Sequence, residues 1–154
     1  MKVRSAVLTV AALFVALTTC FAANPHLGTW KLNEAKSKFS PGASKNLAVS
    51  YETVGESIKA ILDGVDGDGK PTHNEWTGKF DGKDYPVAGD PGSDMRSYKK
   101  IDERTMEVTV KKGGKVTITG RIVISADGKT RTITTHSTDS GGKKVVSTAV
   151  YDKQ

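Results

Sequence analysis

The stretch Gly113 to Lys143 reads GGKVTITGRIVISADGKTRTITTHSTDSGGK. Gly113-Gly114, Asp127-Gly128 and Gly141-Gly142, each followed by lysine, fall 14 residues apart. Such pairs tolerate the positive φ that tight turns between antiparallel strands require. Between them the chain alternates. Val116, Ile118, Ile122 and Ile124 share one face, and Thr117, Thr119, Arg121 and Val123 the other. A period of two with β-branched residues specifies strand, not helix. If the apolar stripe faces inward, Arg121 faces water. The threonine-rich TRTITTHST also favours strand, but with both faces polar its inward side stays open.

The pattern extends in both directions. RTMEVTVKK groups Met106, Val108 and Val110; KVVSTAVYDKQ sets Val146, Thr148 and Val150 opposite Val145, Ser147, Ala149 and Tyr151. Asp-Gly-Lys recurs at 68–70 and 81–83. Further strands are expected near 27–32, 46–54, 57–64, 72–80, 83–88 and 94–101. Only NEAKSKF, Asn33 to Phe39, has helical character, enough for one short helix. No segment suffices for the crossover helices of a parallel sheet. The fold class is all-β: an antiparallel up-and-down barrel of about eight to ten strands, with at most one short helix. A barrel of that size encloses one small ligand or is filled by its own side chains, and the sequence favours neither.

Residues 1–23 read as a signal peptide, leaving 24–154 as one barrel domain. Lys2 and Arg4 precede the apolar run Ala6 to Leu17, and the small-residue segment TTCFAA follows. The run is short of the ~20 residues a membrane span needs. Cleavage after Ala22 or Ala23 predicts a periplasmic or secreted protein. LTTC also resembles a lipobox, which offers Cys20 as a lipidation site, the one membrane attachment expected, and an outer-membrane lipoprotein as the alternative. Cys20 is the chain's one cysteine, so no disulfide is expected.

The chain carries a formal net charge of +6, but the charges are interspersed, without basic blocks or aromatic–basic interleaving. This gives nucleic acid no purchase. The mature part holds no cysteine, no nucleophile elbow and no Ser-x-x-Lys opening a helix, so no enzyme and no cofactor are expected.

Two local features resemble known families. Gly28-Thr29-Trp30-Lys31-Leu32 is similar to the first strand of the calycin superfamily, the lipocalins and fatty-acid-binding proteins, whose G-x-W plugs the barrel base. That resemblance implies a barrel of lipocalin-like type and a plug role for Gly28 and Trp30. The closing AVYDKQ resembles the last strand of fatty-acid-binding proteins. Tyr151 matches the tyrosine of their ligand-clamping Arg-x-Tyr, but Ala149 stands where the arginine belongs. The short Asn33–Asn46 connection has no room for their two-helix lid. The whole chain also resembles an uncharacterised group of exported bacterial proteins with GTWKLN near the start and DGK hairpins throughout.

Other motifs have plainer readings. DGVDGDGKPTHNEW, Asp63 to Trp76, resembles a calcium loop and offers Asp66, Asp68 and Glu75 as ligands. Yet Gly64 occupies the first ligand position, Pro71 interrupts the loop, and the flanks are strands, so a hairpin turn is preferred. His26, His73 and His136 lack partners at metal-ligand spacing and read as surface or pocket-rim residues.

The expected function is non-catalytic binding, by a monomer, of a small hydrophobic or amphipathic molecule inside the barrel. Arg96, Tyr98, Arg131 and Tyr151 are the candidate ligand contacts. The alternatives are an envelope structural or interaction protein with a filled barrel, with or without a lipid anchor at Cys20, and a calcium-dependent module.

Overall fold

A computed structural model of the protein describes residues 24–138 and 141–154. The expected signal segment and Cys20 lie outside them.

Ten antiparallel strands follow in order: β1 Gly28–Leu32, β2 Lys45–Val54, β3 Ser57–Val65, β4 Pro71–Gly78, β5 Tyr85–Ala88, β6 Met95–Lys100, β7 Thr105–Lys112, β8 Lys115–Ile124, β9 Thr130–Thr138 and β10 Lys144–Lys153. Each pairs with the next, and β1 pairs with β10 through Trp30–Lys153, Lys31–Asp152 and Leu32–Tyr151. The barrel is therefore closed and leaves no full sheet edge exposed. NEAKSKF contributes only a 3-10 turn, Glu34–Lys36, where the Asn33 side chain accepts a hydrogen bond from the Lys36 amide.

The turn chemistry accounts for the order. Gly113 (φ 57°) and Gly114 (φ 77°) are both left-handed and form the two-residue turn between β7 and β8. In the Asp-Gly-Lys turns the carboxylate accepts the lysine amide two residues on: Asp81 from Lys83 at 3.0 Å, Asp127 from Lys129 at 3.0 Å. In the β3–β4 turn Asp66 takes that role, accepting the amides of Asp68 and Lys70 at 2.9 Å each.

The interior is solid at one end and hollow at the other. Connections 55–56, 79–84, 101–104 and 125–129 lie at the closed end. There Trp30, Trp76, Met106, Ile122 and Ile124 are at most 1% exposed. Connections 33–44, 66–70, 89–94 and 113–114 surround the mouth. The expected β8 stripe holds for Ile122 and Ile124, while Ile118 is half-buried and Val116 is exposed. The register slips between Val110 and Lys111, and Val116 lies beyond the slip beside the turn. Arg121 points outward, toward Glu107. His26 departs from the surface reading: it is buried beneath the base, edge-on to Phe80.

β2 carries a second slip between Asn46 and Ala48, opposite Gly64 on β3. A Cβ at Gly64 would strike the Lys45 carbonyl and lie 2.9 Å from the Asn46 Cα. Because the obstacle is backbone, Gly64→Ala should lower stability by about 1–3 kcal/mol. Urea unfolding checks this; an unchanged midpoint would mean the bulge relaxes freely.

Candidate functional site

The hollow half encloses about 650 Å³, within the ~300–1,000 Å³ of small-molecule sites. Its inward residues follow strand alternation. β9 presents Arg131, Ile133, Thr135 and Ser137, and β10 presents Val145, Ser147, Ala149 and Tyr151. The register Tyr151–Arg131 puts these two side by side near the closed end. Val49, Leu62, Val108 and Val110 supply an apolar wall.

All four candidate contacts, Arg96, Tyr98, Arg131 and Tyr151, line this one cavity. Arg131 is 3% exposed and forms the floor. Its guanidinium carbon lies 5.0 Å from the Tyr151 ring centroid and 5.6 Å from that of Tyr51. Its Nη2 donates to the Tyr51 hydroxyl at 3.1 Å, and the Tyr51 hydroxyl donates to Tyr98 at 3.3 Å. The Nε of Arg131 is buried without an acceptor. Burial raises the pKa of the Tyr51 and Tyr151 phenols, so both stay neutral beside the arginine. Burial works against the Arg131 charge, but a guanidinium keeps its proton, and the Tyr51 hydroxyl accepts from it.

Arg96 sits nearer the mouth and has a carboxylate beside it, although its Nη1 is buried without a partner. Its Nη2 donates to Asn74 Oδ1 at 3.1 Å and lies 3.7 Å from Asp90 Oδ2. Asp90 is itself fixed by the Gly92 amide and the Ser93 hydroxyl. The Arg96 carbonyl accepts the Trp76 indole N–H at 2.9 Å. The Trp76 ring stands 4.8 Å from Tyr98 and 6.3 Å from Phe80, an aromatic cluster that stiffens the wall.

Trp30 occupies the base. Its indole N–H donates to the His26 carbonyl at 3.0 Å, and Lys153 Nζ lies 5.0 Å from the ring. Gly28, at φ 105°, brings the backbone under Lys153.

The calcium candidates are dispersed. Asp66 is engaged by its own turn, while Glu75 lies on the outer face of β4. There it takes Lys59 at 3.0 Å and His73 Nε2 at 3.4 Å. His73 Nδ1 meets Asp63 at 2.6 Å, and this hydrogen bond, with that to Glu75, raises its pKa. Among the described residues no three His, Cys, Asp or Glu side chains are grouped to hold a metal ion.

Sequence reasoning did not assign Tyr51, Asn74 and Asp90 to the site. Tyr51 was accessible through its period-two spacing from Val49; Asn74 required the strand register, and Asp90 lies in the 89–94 connection, where no periodicity orients it.

No protein-family model matches the chain, and no curated protein does. Among solved structures, the redesigned β-barrel mFAP1 bound to DFHBI is 16% identical over 86% of this chain and 98% of its own, with TM-score 0.49. EF1p2_mFAP2b bound to DFHBI is 13% identical over 86% and 97%, with TM-score 0.49. Lobster apocrustacyanin A1 is 12% identical over 86% and 63%, with TM-score 0.44. Likenesses this distant say nothing of what this chain binds.

Proposed function

We propose that the protein is an exported, non-catalytic carrier of a small apolar or amphipathic molecule held inside the barrel. One observation carries this reading. The mouth half of the interior is an open-ended cavity of about 650 Å³ with an apolar wall and a polar floor, although the closed half is fully packed. Export rests on the leader-like segment 1–23.

The energetics make the polar groups decisive. Burying ~200 Å² of ligand apolar surface contributes ~5 kcal/mol. That is of the order of the ~4–15 kcal/mol cost of association. Apolar contact alone therefore leaves affinity weak, and contacts with Arg131, Tyr98, Tyr151 and Arg96 select the ligand.

Titration with a panel of apolar dyes tests the reading through Trp76, which touches Tyr98 on the cavity wall. Saturable energy transfer to a dye at about one equivalent is expected. Unchanged tryptophan emission across the panel would contradict a cavity binder.

A further inference from the structure

Resting on that reading, we infer that the cavity takes an organic mono-acid in its anionic form, acid group on Arg131 and apolar remainder toward the mouth.

The argument begins with charge. A guanidinium cannot shed its proton, and a buried cation without a counter-ion is costly. Among the described residues no carboxylate lies within ion-pair distance of Arg131, whose partners are tyrosines. Neither buried phenol substitutes as an internal anion, since burial keeps Tyr51 and Tyr151 protonated. Arg96, in the same cavity, has Asp90 at 3.7 Å and Asn74 at 3.1 Å. One of the two cations is balanced by the protein and the other is not. The missing charge is a single negative one.

Hydrogen-bond direction agrees. Arg131 donates to Tyr51, and Tyr51 donates to Tyr98. Tyr98 lines the cavity and, as the last acceptor of this chain, keeps its own proton to offer. Arg131 Nε and Arg96 Nη1 are both buried without acceptors, so it is the carboxylate beside Arg96, and not its hydrogen bonds, that distinguishes the two arginines. The floor thus has donors in surplus, which suits a carboxylate and penalises an amine. Tyr51, behind the wall, is a positioning residue: it fixes the guanidinium and turns Tyr98 toward the ligand.

Geometry sets the rest of the ligand. From Arg131 to Ser137, β9 runs about 20 Å, or ~15 Å of depth at the usual barrel tilt. Along that depth the wall turns to Leu62, Val110, Ile118 and Ile133. A short or medium aliphatic or aryl chain fits this space with its acid group at the bottom.

The test is displacement of Nile red from the purified protein by decanoate, decanol and decylamine at neutral pH. The inference expects decanoate to bind about tenfold or more tightly than decanol, with decylamine weakest. Arg131→Met should abolish the preference, so that decanoate and decanol bind alike. Arg131→Lys should keep part of the preference, and Tyr51→Phe should reduce it while Nile red still binds. Thermal melts of each variant confirm that it is folded. Equal affinity for decanoate and decanol in the unaltered protein would overturn the anion inference and leave the carrier reading standing. So would a preference that survives Arg131→Met. Failure of Nile red and all three competitors to bind would bring down the carrier reading, and this inference with it.

Discussion

Trp30→Ala should destabilise the barrel by about 3–5 kcal/mol, the range for deleting a large buried aromatic. The indole is fully buried where β1 meets both β2 and β10, the seam that closes the barrel. Its removal leaves a void among residues that cannot collapse independently. It also strands the His26 carbonyl, which accepts the indole N–H at 3.0 Å, and takes the ring from beneath Lys153. Trp30→Phe keeps most of the plug and loses the hydrogen bond, so about 1–2 kcal/mol is expected. Urea unfolding of both variants provides the comparison. A loss below about 1 kcal/mol for the alanine variant would mean that the base is held by other groups and that the plug role, first suggested by the G-x-W resemblance, is wrong.

Acid should weaken the protein through His26. The imidazole is 1% exposed, and both ring nitrogens are buried without partners. Burial lowers its pKa to about 4; Arg131 and Lys100 add to the lowering, while Asp102 and Glu103 oppose it. The folded value thus lies below the unfolded one of about 6.5. Stability from keeping His26 neutral is complete above pH ~6.5 and is lost as pH falls toward ~4. The full shift corresponds to at most about 3 kcal/mol. Urea midpoints at pH 7 and pH 4.5 should show a marked drop in the unaltered protein and a smaller drop in His26→Leu. Equal drops would assign the acid sensitivity to other groups. The exposed His73 has the opposite sign, because its carboxylate partners raise its pKa. Its contribution is present below pH ~6.5 and fades as pH rises through its folded value.

The fold was legible because its determinants are local. Gly113-Gly114 dictates its turn by φ, Asp127-Gly128 does so by φ at Gly128 and the Asp127 carboxylate, and the Met106–Val108–Val110 alternation dictates a face. β5, Tyr85–Ala88, is shorter than the 83–88 expected. It pairs through only two residues on each side, Glu75–Ala88 and Trp76–Val87, then Tyr85–Arg96 and Pro86–Met95. So short a ladder leaves little periodicity to detect. The hollow and solid halves were not legible. They depend on which inward residues share a depth, and two register slips set that depth. Large side chains, Trp30, Trp76 and Met106, gather at the closed end, while Thr135, Ser147 and Ala149 leave space above.

The site was legible only in part, for the same reason. TRTITTHST is polar on both faces, so alternation alone could not orient Arg131. Its pairing with Tyr151 on β10 places it inside. His26 precedes the first strand and belongs to no periodic pattern, so its burial had no signal in the sequence. The calcium-like spacing reflects turn chemistry: the Asp66 carboxylate that would bind a cation accepts two backbone amides instead.

The most direct test of a binder with its ligand inside the barrel is a methyl and arginine side-chain NMR titration with decanoate. Val49, Leu62, Val108 and Ile133 methyls line the cavity, as does Arg131, whereas Val123 and Val146 are exposed on the outer surface. The predicted result is saturable shifts of the cavity methyls and of Arg131 Nε, with Val123 and Val146 unmoved. Shifts confined to the outer valines, or no saturable shift at any cavity methyl, would contradict the account.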